Sequence, residues 1–300
     1  MFGRFAPTPS SDLHIGNLRT ALVAWLAARS TGRGFLIRVE DLDGYRMKDA
    51  DQIMDRQLDD LARLGLDHDG PILRQQGRMA VYEQALAGLE GVYECFCSRK
   101  DVAEATKAPH GTTPRYPGTC RNLNESEKAE LRKIRPPALR VSALAARVSV
   151  TDLVHGQYTG EVDDFVIRRA DGVFAYNFAV VVDDGLQGID QVVRGEDLLE
   201  SAPRQAWLAK QLGFQVPEYV HLPLVYGSDG TRMAKRDQAI SLARLHALGI
   251  EVDQVLHHLA MSLSLVHPGE QVELTTLVER FDPARLPRDP WLVDPLSWVT

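Results

Sequence analysis

The N-terminal part of the chain alternates short apolar segments with helical patterns of apolar and polar positions. Residues 3–6 and 35–39 have the length and apolar content of buried strands. Between them, apolar residues recur at helical spacing: Leu18, Leu22, Trp25 and Leu26. A second helical pattern spans residues 53–64. This β-α-β-α order predicts a parallel sheet with helical crossovers.

The remaining patterns are shorter and more varied. Further strands are predicted over residues 139–141, 148–153, 165–168, 173–182 and 221–225. A helix is predicted over residues 203–213. The last part of the chain is predicted to be helical, with Leu256, Leu259, Met261 and Leu263 as core candidates.

Ligands of parallel α/β sheets collect at the carboxyl ends of the strands. Residues 7–12 follow the first predicted strand, and Glu40 follows the second. We therefore expect both to face one binding crevice. No G-x-G-x-x-G segment follows a strand, which excludes a doubly wound dehydrogenase.

Composition describes an ordinary globular protein of 300 residues with a net charge of −7. No apolar stretch follows a basic segment near the N-terminus, so a secretory signal is not expected. The longest apolar run, residues 21–28, is too short to cross a bilayer, and we expect no membrane partner. Three cysteines, an odd number, argue against a disulfide framework and for the cytoplasm.

The charge is unevenly distributed along the chain. Residues 99–147 contain eleven Lys and Arg against five Asp and Glu, which gives +6 and leaves −13 for the remainder. Phosphate contacts need a local basic face rather than a basic total. A charge run is nevertheless more often a solvated surface. The segment is therefore a weak indication of a nucleic-acid partner.

Two segments carry residues suited to nucleotide chemistry. His14-Ile15-Gly16-Asn17 stands at the start of the first helix, where backbone N–H groups and the helix dipole favour an anion. Gly16 would let a nucleotide approach the backbone closely. Further along, a glycine-hinged loop presents Lys235 between two arginines, which suits polyphosphate. Taken singly, each is more often an ordinary helix start or a basic turn.

Together with other blocks, these segments resemble the HIGH and KMSKS signatures of class I aminoacyl-tRNA synthetases, within the glutamyl and glutaminyl branch. The matching blocks are, in chain order, Arg4-Phe5-Ala6-Pro7, His14-Ile15-Gly16-Asn17, Arg38-Val39-Glu40-Asp41-Leu42-Asp43, Tyr176-Asn177-Phe178-Ala179-Val180-Val181-Val182-Asp183-Asp184, Arg194-Gly195-Glu196-Asp197 and Met233-Ala234-Lys235-Arg236. The match covers residues 4–242. Agreement in this order by chance is very improbable.

The resemblance is closest to the shortened glutamyl-queuosine tRNA(Asp) synthetases. Members of that family activate L-glutamate with ATP and attach it to the queuosine base in the anticodon loop of tRNA(Asp). For this chain it implies an α/β, Rossmann-type catalytic domain of residues 1–85 and 161–225. The expected fold is completed by two further parts. One is an insertion over residues 86–160 that is held by zinc, and the other is a KMSKS-like loop with a helical region over residues 226–300. We expect a monomer without an anticodon-binding domain.

Two positions depart from the family signatures. Asn17 stands where the second histidine of HIGH is expected, and Ala234 replaces the serine of KMSKS. The shortened family tolerates variation at both positions. We therefore interpret them as tuning of ATP binding rather than its loss.

The glutamate site has to combine opposite charges, because the free amino acid brings an ammonium and two carboxylates. Glu40 can take the ammonium, Arg4 and Arg194 can hold carboxylate in planar forks, and the Tyr176 hydroxyl can add a hydrogen bond. The resemblance assigns glutamate binding to the same positions and the first segment: Arg4, Phe5, Ala6, Pro7, Thr8, Glu40, Tyr176 and Arg194. Taken singly, Glu40 reads equally well as a solvated acidic turn, and Arg194 as a surface ion pair.

Activation requires the glutamate α-carboxylate to attack the α-phosphorus of ATP, with pyrophosphate as the leaving group. Negative charge then builds on the α-phosphate and on pyrophosphate. His14 and Lys235 are the predicted catalytic residues aimed at that charge, with Mg²⁺ neutralising the phosphates. The resemblance implies ATP contacts from His14, Gly16, Asn17 and Lys235.

Cysteines 95, 97 and 120 form the last candidate site. In a strand, Cys-x-Cys places both sulfurs on one face about 6.6 Å apart, so a shared metal requires local bending. Zinc takes four ligands, or three and water. The resemblance implies Tyr116 as the fourth ligand beside Cys95, Cys97 and Cys120, while His110 is the alternative because imidazole is the commoner ligand. Three reduced thiols without metal are the plainer interpretation, and a structural zinc is more plausible than a catalytic one.

Two other functions compete with the leading one. The chain could be a glutamyl- or glutaminyl-tRNA synthetase fragment that charges a tRNA 3′ end. It could also be a non-catalytic paralogue that binds amino acid or RNA. Joint retention of the predicted site residues argues against the paralogue. Length and Val180, where full-length glutamyl enzymes commonly carry a polar residue, argue against the fragment.

Overall fold

The computed structural model describes residues 1–43, 49–106, 115–228, 230 and 240–298. Its strands are β1 (Phe2–Phe5), β2 (Gly34–Val39), β3 (Leu73–Arg74), β4 (Val92–Cys95), β5 (Ala138–Val141), β6 (Ala146–Asp152), β7 (Gly156–Val162), β8 (Phe165–Arg168), β9 (Ile189–Gly195), β10 (Glu218–Leu222), β11 (Val225–Gly227) and β12 (Trp291–Val293). Its α-helices are α1 (Ile15–Ser30), α2 (Ala50–Arg63), α3 (Met79–Ala87), α4 (Arg99–Thr106), α5 (Glu125–Ile134), α6 (Tyr176–Leu186), α7 (Ala202–Gln211), α8 (Leu242–Ala247), α9 (Val252–Ser262) and α10 (Leu274–Arg280).

The main sheet of the described chain has seven strands in the order β3-β2-β1-β9-β10-β6-β7. Its neighbouring strands are parallel, except for the antiparallel hairpin of β6 and β7. The predicted α/β class with a parallel sheet is therefore confirmed.

The strand order reverses between β1 and β9. From β1 the chain runs outward through β2 to β3, whereas β9 and β10 lie on the other side of β1. Such a reversal leaves a crevice at the carboxyl ends of the strands, where ligands of this architecture bind. The backbone N–H of Glu40 donates to the Pro7 carbonyl at 2.9 Å and so ties the ends of β2 and β1 together.

Helix α1 is buried between this sheet and the C-terminal helices. It contacts β1, β2 and β9 on one side and α9 and α10 on the other, so apolar side chains all round its circumference are buried. The helix ends at Ser30, and Gly32 adopts a φ of 69°, the left-handed conformation that commonly follows a helix.

The strand predicted over residues 173–182 is wrong, because this segment enters helix α6 at Tyr176. Val180, Val181 and Val182 favour a strand by their branching. All three are buried here, as is Phe178 beside them. A continuous apolar run does not distinguish a buried strand from a buried helix.

The strand predicted over residues 221–225 is also only partly right. β10 ends at Leu222 and β11 begins at Val225. Pro223 lies between them, and proline cannot donate a backbone hydrogen bond to a sheet. The break exposes this turn to the crevice beside β9.

Residues 86–160 supply strands to two different sheets. β4 and β5 pair with β8 in a separate antiparallel sheet, whereas the β6–β7 hairpin extends the main sheet beside β10. The predicted domain boundaries at residues 85, 160 and 225 stay a prediction.

The C-terminal helices close the far side of α1. Leu256, Leu259 and Leu263 are buried in the same core as α1, and Met261 packs against it partly exposed. β12 returns to pair with β11 in parallel. Within the described ranges, no helix combines the length and apolar character needed to cross a membrane.

Candidate functional site

A cavity of about 560 Å³, called the principal cavity because it contains the predicted site residues, opens at the carboxyl ends of β1 and β9, where the strand order reverses. Among its lining residues are those predicted for glutamate and nucleotide: Arg4, Phe5, Ala6, Pro7, Thr8, His14, Gly16, Asn17, Glu40, Tyr176 and Arg194. Lys235, the remaining predicted residue of this site, lies outside the described residues. The roles of these residues stay predictions, but their assembly in one crevice follows from the fold.

His14 caps the N-terminus of α1. Its Nδ1 accepts hydrogen bonds from the backbone N–H groups of Gly16 and Asn17, at 3.1 and 3.3 Å. In return the Asn17 Oδ1 accepts from the backbone N–H of His14 at 3.2 Å. Because Nδ1 is an acceptor, the ring proton of a neutral His14 is on Nε2. In this tautomer Nε2 carries the ring's hydrogen-bond donor.

Gly16 and Asn17 explain why this cap forms. A Cβ on Gly16 would lie 2.9 Å from the His14 ring, so only glycine lets the ring fold over the helix end. Asn17, the departure from the family signature, closes the reciprocal capping box. Gly16 therefore makes room for a side chain of the protein, and the close approach of a nucleotide to its backbone stays a prediction.

The described residues after the loop that contains Lys235 contact the same helix end. The backbone N–H of Ile15 donates to the Ile240 carbonyl at 3.0 Å, and Ser241 forms an isolated antiparallel bridge with His14. The chain that directly follows the segment with Lys235 therefore lies beside the predicted ATP contacts.

A buried network of charges lies under the cavity. Asp184 accepts hydrogen bonds from Arg4 Nε at 3.2 Å and from Arg38 Nη1 at 2.7 Å, and Arg38 Nη2 donates to Glu40 at 3.2 Å. Arg38 is completely buried, and Arg4 is 3% exposed. The two arginines and the two carboxylates balance in charge, which makes their burial tolerable.

Glu40 is the acidic residue of this network that reaches the cavity. Burial raises the pKa of its carboxyl, while the guanidinium groups of Arg38 and Arg4 oppose that rise. A ligand ammonium beside Glu40 would add a third positive neighbour and favour the ionised carboxylate. This environment suits recognition of an amino group.

Tyr176 stands where the principal cavity meets a second one. Tyr176 is the first residue of α6. It lines the principal cavity, the second cavity of about 740 Å³ and a smaller third one. Thr8 and Glu40 also border both of the larger cavities. The second cavity is also lined by Arg99, Ala138, Val166, Arg169 and Phe174.

The cysteines form one compact cluster with Tyr116. β4 ends at Cys95, so Cys97 lies beyond the strand and the chain can bend. The three sulfur atoms lie within 4.8 Å of one another, and Cys97 and Cys120 are 3.6 Å apart. The Tyr116 hydroxyl oxygen lies 3.4 Å from the Cys95 sulfur and 3.9 Å from the Cys97 sulfur.

These separations fit a tetrahedral zinc site. Zinc–sulfur bonds of about 2.3 Å place two sulfur ligands about 3.8 Å apart, and an oxygen ligand about 3.5 Å from each sulfur. Cys95, Cys97, Cys120 and Tyr116 therefore offer a suitable donor set. His110, the alternative fourth ligand, lies outside the described residues. The zinc itself stays a prediction.

The basic segment forms many ion pairs of its own. Arg132 pairs with Glu94 at 2.6 Å, Lys133 with Glu130 at 2.6 Å, and Arg121 with Asp164 at 2.8 Å. Much of the positive charge counted in the sequence is therefore already compensated locally. The excess alone does not identify an RNA surface.

The family model for the catalytic domain of class I tRNA synthetases (E and Q) matches residues 2–279. The chain belongs to this family. It is thus a class I aminoacyl-tRNA synthetase, and the α/β, Rossmann-type fold implied by the sequence resemblance is confirmed.

Relatives of this synthetase share much of its sequence. A Glutamyl-Q tRNA(Asp) synthetase of Nocardia farcinica is 53% identical over 295 residues, which cover 97% of this chain and 92% of the relative. A protein of the same name from Symbiobacterium thermophilum is 44% identical, covering 96% of this chain and 94% of the relative. A crystal structure of a glutamate tRNA ligase from Elizabethkingia meningosepticum, in complex with its amino acid, aligns with a TM-score of 0.81 at 25% identity. That alignment covers all of this chain and 68% of the ligase.

Several residues that shape the synthetase site had no role in the sequence predictions. Arg38, Asp183 and Asp184 were recognised only as parts of matching blocks, and His221 only as the start of a strand. Each is buried and charged or polar inside an otherwise apolar segment, which is the signal that could have found them. Arg19 was missed in the same way: it is buried in α1 and donates to Ser262 Oγ at 3.0 Å and to the Pro223 carbonyl at 3.1 Å.

Proposed function

We propose that this synthetase activates L-glutamate with ATP and transfers the glutamyl group to the queuosine base in the anticodon loop of tRNA(Asp). The observation that carries the proposal is the cavity between β1 and β9. It unites buried arginines, a buried glutamate and the N-terminus of a helix in one crevice. An amino acid and a triphosphate need these opposite charges side by side.

The glutamate ligand would use the charged wall of the cavity. Glu40 takes the ammonium, and the Tyr176 hydroxyl donates to a carboxylate. Arg4 is already paired with Asp184, whereas the recorded partners of the Arg194 guanidinium are neutral. Arg194 is therefore the stronger candidate for the ligand's side-chain carboxylate.

The ATP phosphates would lie against the N-terminus of α1. His14 offers Nε2–H there, and the helix end contributes backbone dipoles. Mg²⁺ accompanying ATP neutralises phosphate charge, and Lys235 is proposed to meet the charge that develops during the attack. Attack of the glutamate α-carboxylate on the α-phosphorus forms glutamyl-adenylate and releases pyrophosphate, without a covalent intermediate on the protein.

The second cavity is the proposed entrance for the acceptor. It adjoins the glutamate site at Glu40 and Tyr176, so a hydroxyl that enters from it reaches the activated carboxyl. A splayed base of a single-stranded loop is the kind of RNA group that enters such a cavity. Queuosine carries a cyclopentene diol that resembles the terminal ribose diol of a tRNA. The names of the relatives support this acceptor over a tRNA 3′ end.

The cysteine cluster is proposed to hold one structural zinc. Cys95, Cys97, Cys120 and Tyr116 would bind the ion and join β4 to the turn before α5. A bound zinc would stabilise this part of the fold by coordinating the four side chains rather than take part in the reaction, since these residues do not line the principal cavity.

Pyrophosphate exchange tests the activation step directly. The purified protein should exchange pyrophosphate into ATP when glutamate is present, without any tRNA, and much less with glutamine. A neutral amide would leave a buried guanidinium unpaired at a cost of a few kcal/mol. Equal exchange with both amino acids would contradict the proposed site. Strict dependence on tRNA would favour a truncated glutamyl-tRNA synthetase.

A further inference from the structure

Arg194 is held on three sides by protein groups. Its Nε donates to His221 Nε2 at 3.0 Å, its Nη1 to Gln205 Oε1 at 2.6 Å, and its Nη2 to the Leu198 carbonyl at 3.2 Å. A guanidinium has five N–H donors, so two of those of Arg194 have no partner among the residues that the structure describes. These two N–H groups are on the terminal nitrogens of a side chain that lines the principal cavity.

The contact with Arg194 determines the tautomer of His221. Since Nε2 accepts from Arg194, it needs a free electron pair, and the ring proton of a neutral His221 is on Nδ1. That proton faces the Asp152 Oδ2, 2.6 Å from Nδ1. Both side chains are completely buried.

Asp152 is itself held by the backbone around it. Its Oδ1 accepts from the N–H groups of Val154 and His155 at 2.9 and 2.8 Å, and its Oδ2 also accepts from the N–H of His221 at 3.0 Å. Asp152 ends β6, His221 lies in β10 and Arg194 lies in β9, so the contacts cross three neighbouring strands of the main sheet. The arrangement is a relay from a fixed carboxylate through an imidazole to a guanidinium.

The relay differs from the support of Arg4, the other predicted carboxylate partner. Arg4 is bonded directly to the Asp184 carboxylate. For Arg194 the nearest carboxylate of the relay is separated from it by an uncharged ring. A direct carboxylate partner would occupy the forked N–H groups and cancel their charge. The imidazole orients the guanidinium and leaves its forked N–H groups and its positive charge to interact with a ligand.

We propose that Asp152 and His221 are positioning residues that hold Arg194 for the side-chain carboxylate of the amino-acid substrate and thereby favour glutamate over glutamine. The inference deepens the proposed function and rests on it, because it takes glutamate as the ligand of Arg194. Neither positioning residue needs to touch the substrate. Their effect is carried by the orientation and the uncompensated charge of Arg194.

Substitutions of His221 test the relay in the full chain. His221→Leu removes both hydrogen bonds of the ring, whereas His221→Gln offers one acceptor and one donor at a similar separation. His155→Leu is the matched control, because its ring contacts the His221 carbonyl and is not bonded to Arg194. Each variant is measured by pyrophosphate exchange with glutamate and with glutamine, and its folding is checked by circular dichroism.

For His221→Leu we expect KM for glutamate to rise about 10- to 100-fold, the effect of leaving one buried donor badly oriented. The kcat value and KM for ATP should change little, and the preference for glutamate over glutamine should fall by the same factor as KM rises. His221→Gln should recover most of the preference, and His155→Leu should keep it. A folded His221→Leu protein with the wild-type KM and preference would overturn the proposal.

A spectroscopic measurement on the wild-type protein is independent of variant folding. Nitrogen-15 NMR of histidine-labelled protein should show His221 as the neutral tautomer protonated at Nδ1, assigned by the loss of its signals in His221→Gln. Protonation at Nε2 would overturn the relay even if glutamate is the substrate. A wild-type protein that neither binds glutamate in calorimetry nor exchanges pyrophosphate with it would instead contradict the proposed function.

Discussion

Asp184 binds Arg4 through both of its carboxylate oxygens, with Oδ1–Nε and Oδ2–Nη2 distances of 3.2 and 3.4 Å. The same Oδ1 accepts from Arg38 at 2.7 Å, and Arg38 in turn bonds to Glu40. One carboxylate on α6 thus connects the ends of β1 and β2 below the cavity. Because Arg4 and Glu40 are both proposed to serve glutamate, Asp184 maintains the charge balance of the site.

The substitution Asp184→Asn should destabilise the protein and abolish activation. It leaves two buried guanidinium groups with only part of their compensating charge, and removing one partner of a buried pair costs about 3–5 kcal/mol. Urea denaturation at pH 7 measures this loss. Glu130→Gln, which breaks the exposed pair with Lys133, is the control and should leave the unfolding midpoint unchanged.

The destabilisation by Asp184→Asn should also depend on pH. Burial raises the pKa of Asp184, but Arg38 and Arg4 outweigh it and hold this pKa below the ordinary value of 3.8. A depressed native pKa gives stability that is present above pH 3.8 and is lost as the pH falls through the native value. The difference between wild type and variant should therefore be constant near neutral pH and shrink below pH 3.8. A difference that grows on acidification would contradict the ion-pair assignment.

His14→Asn should separate the capping of α1 from catalysis. Asparagine is a favourable N-cap residue, so the helix should keep its stability within about 1 kcal/mol. The variant has no imidazole Nε2–H, and loss of such a donor costs roughly 10²–10³ in rate. Thermal unfolding and glutamate-dependent exchange are compared, with Asn17→Ala as the partner variant that removes only the reciprocal half of the cap. Full exchange activity in folded His14→Asn would remove His14 from the catalytic residues.

Lys235→Ala should slow exchange by roughly 10²–10³, because the side chain is proposed to stabilise the charge of the departing pyrophosphate. The effect should fall on kcat more than on KM for glutamate. Lys210→Ala, at the end of α7 and away from the cavity, should retain wild-type rates. If both variants behave alike, Lys235 has no special part in activation.

One zinc per chain is expected in protein purified without chelator, as measured by elemental analysis. Cys120→Ser and Tyr116→Phe should lower the stoichiometry, whereas Tyr93→Phe, whose hydroxyl bonds to Asp164 in the same part of the chain, should retain it. Loss of zinc in His110→Ala but not in Tyr116→Phe would transfer the fourth position to His110. A zinc-free preparation that is well folded would contradict the site altogether.

Much of the fold could be predicted from local patterns, because β1 and β2 are short apolar segments and α1 and α2 carry apolar residues at helical spacing. Helix α6 was not predicted, since its valines are buried on every side and leave no helical period to detect. The hydrogen-bond and ion-pair partners within the site could not be predicted from the sequence either. Arg4 and Asp184 are 180 residues apart, and Arg194 and His221 are 27 apart on adjacent strands. Such partners are defined by sheet order, which the motifs alone do not reveal.

The acceptor is the central claim of the proposed function. Docking of an anticodon loop would present the queuosine diol to the second cavity, whereas a truncated glutamyl-tRNA synthetase would require the terminal adenosine. Periodate destroys both diols and cannot distinguish them. Enzymatic removal of the terminal adenosine leaves queuosine intact and separates the two possibilities.

The decisive measurement is transfer of radiolabelled glutamate, activated by the protein with ATP, to tRNA(Asp) in three forms: intact with queuosine, 3′-trimmed with queuosine, and intact without queuosine. We predict equal labelling of the first two forms, none of the third, and recovery of the label in the queuosine nucleoside. Loss of labelling on trimming, or labelling of tRNA(Glu) at its 3′ end, would contradict the proposed acceptor.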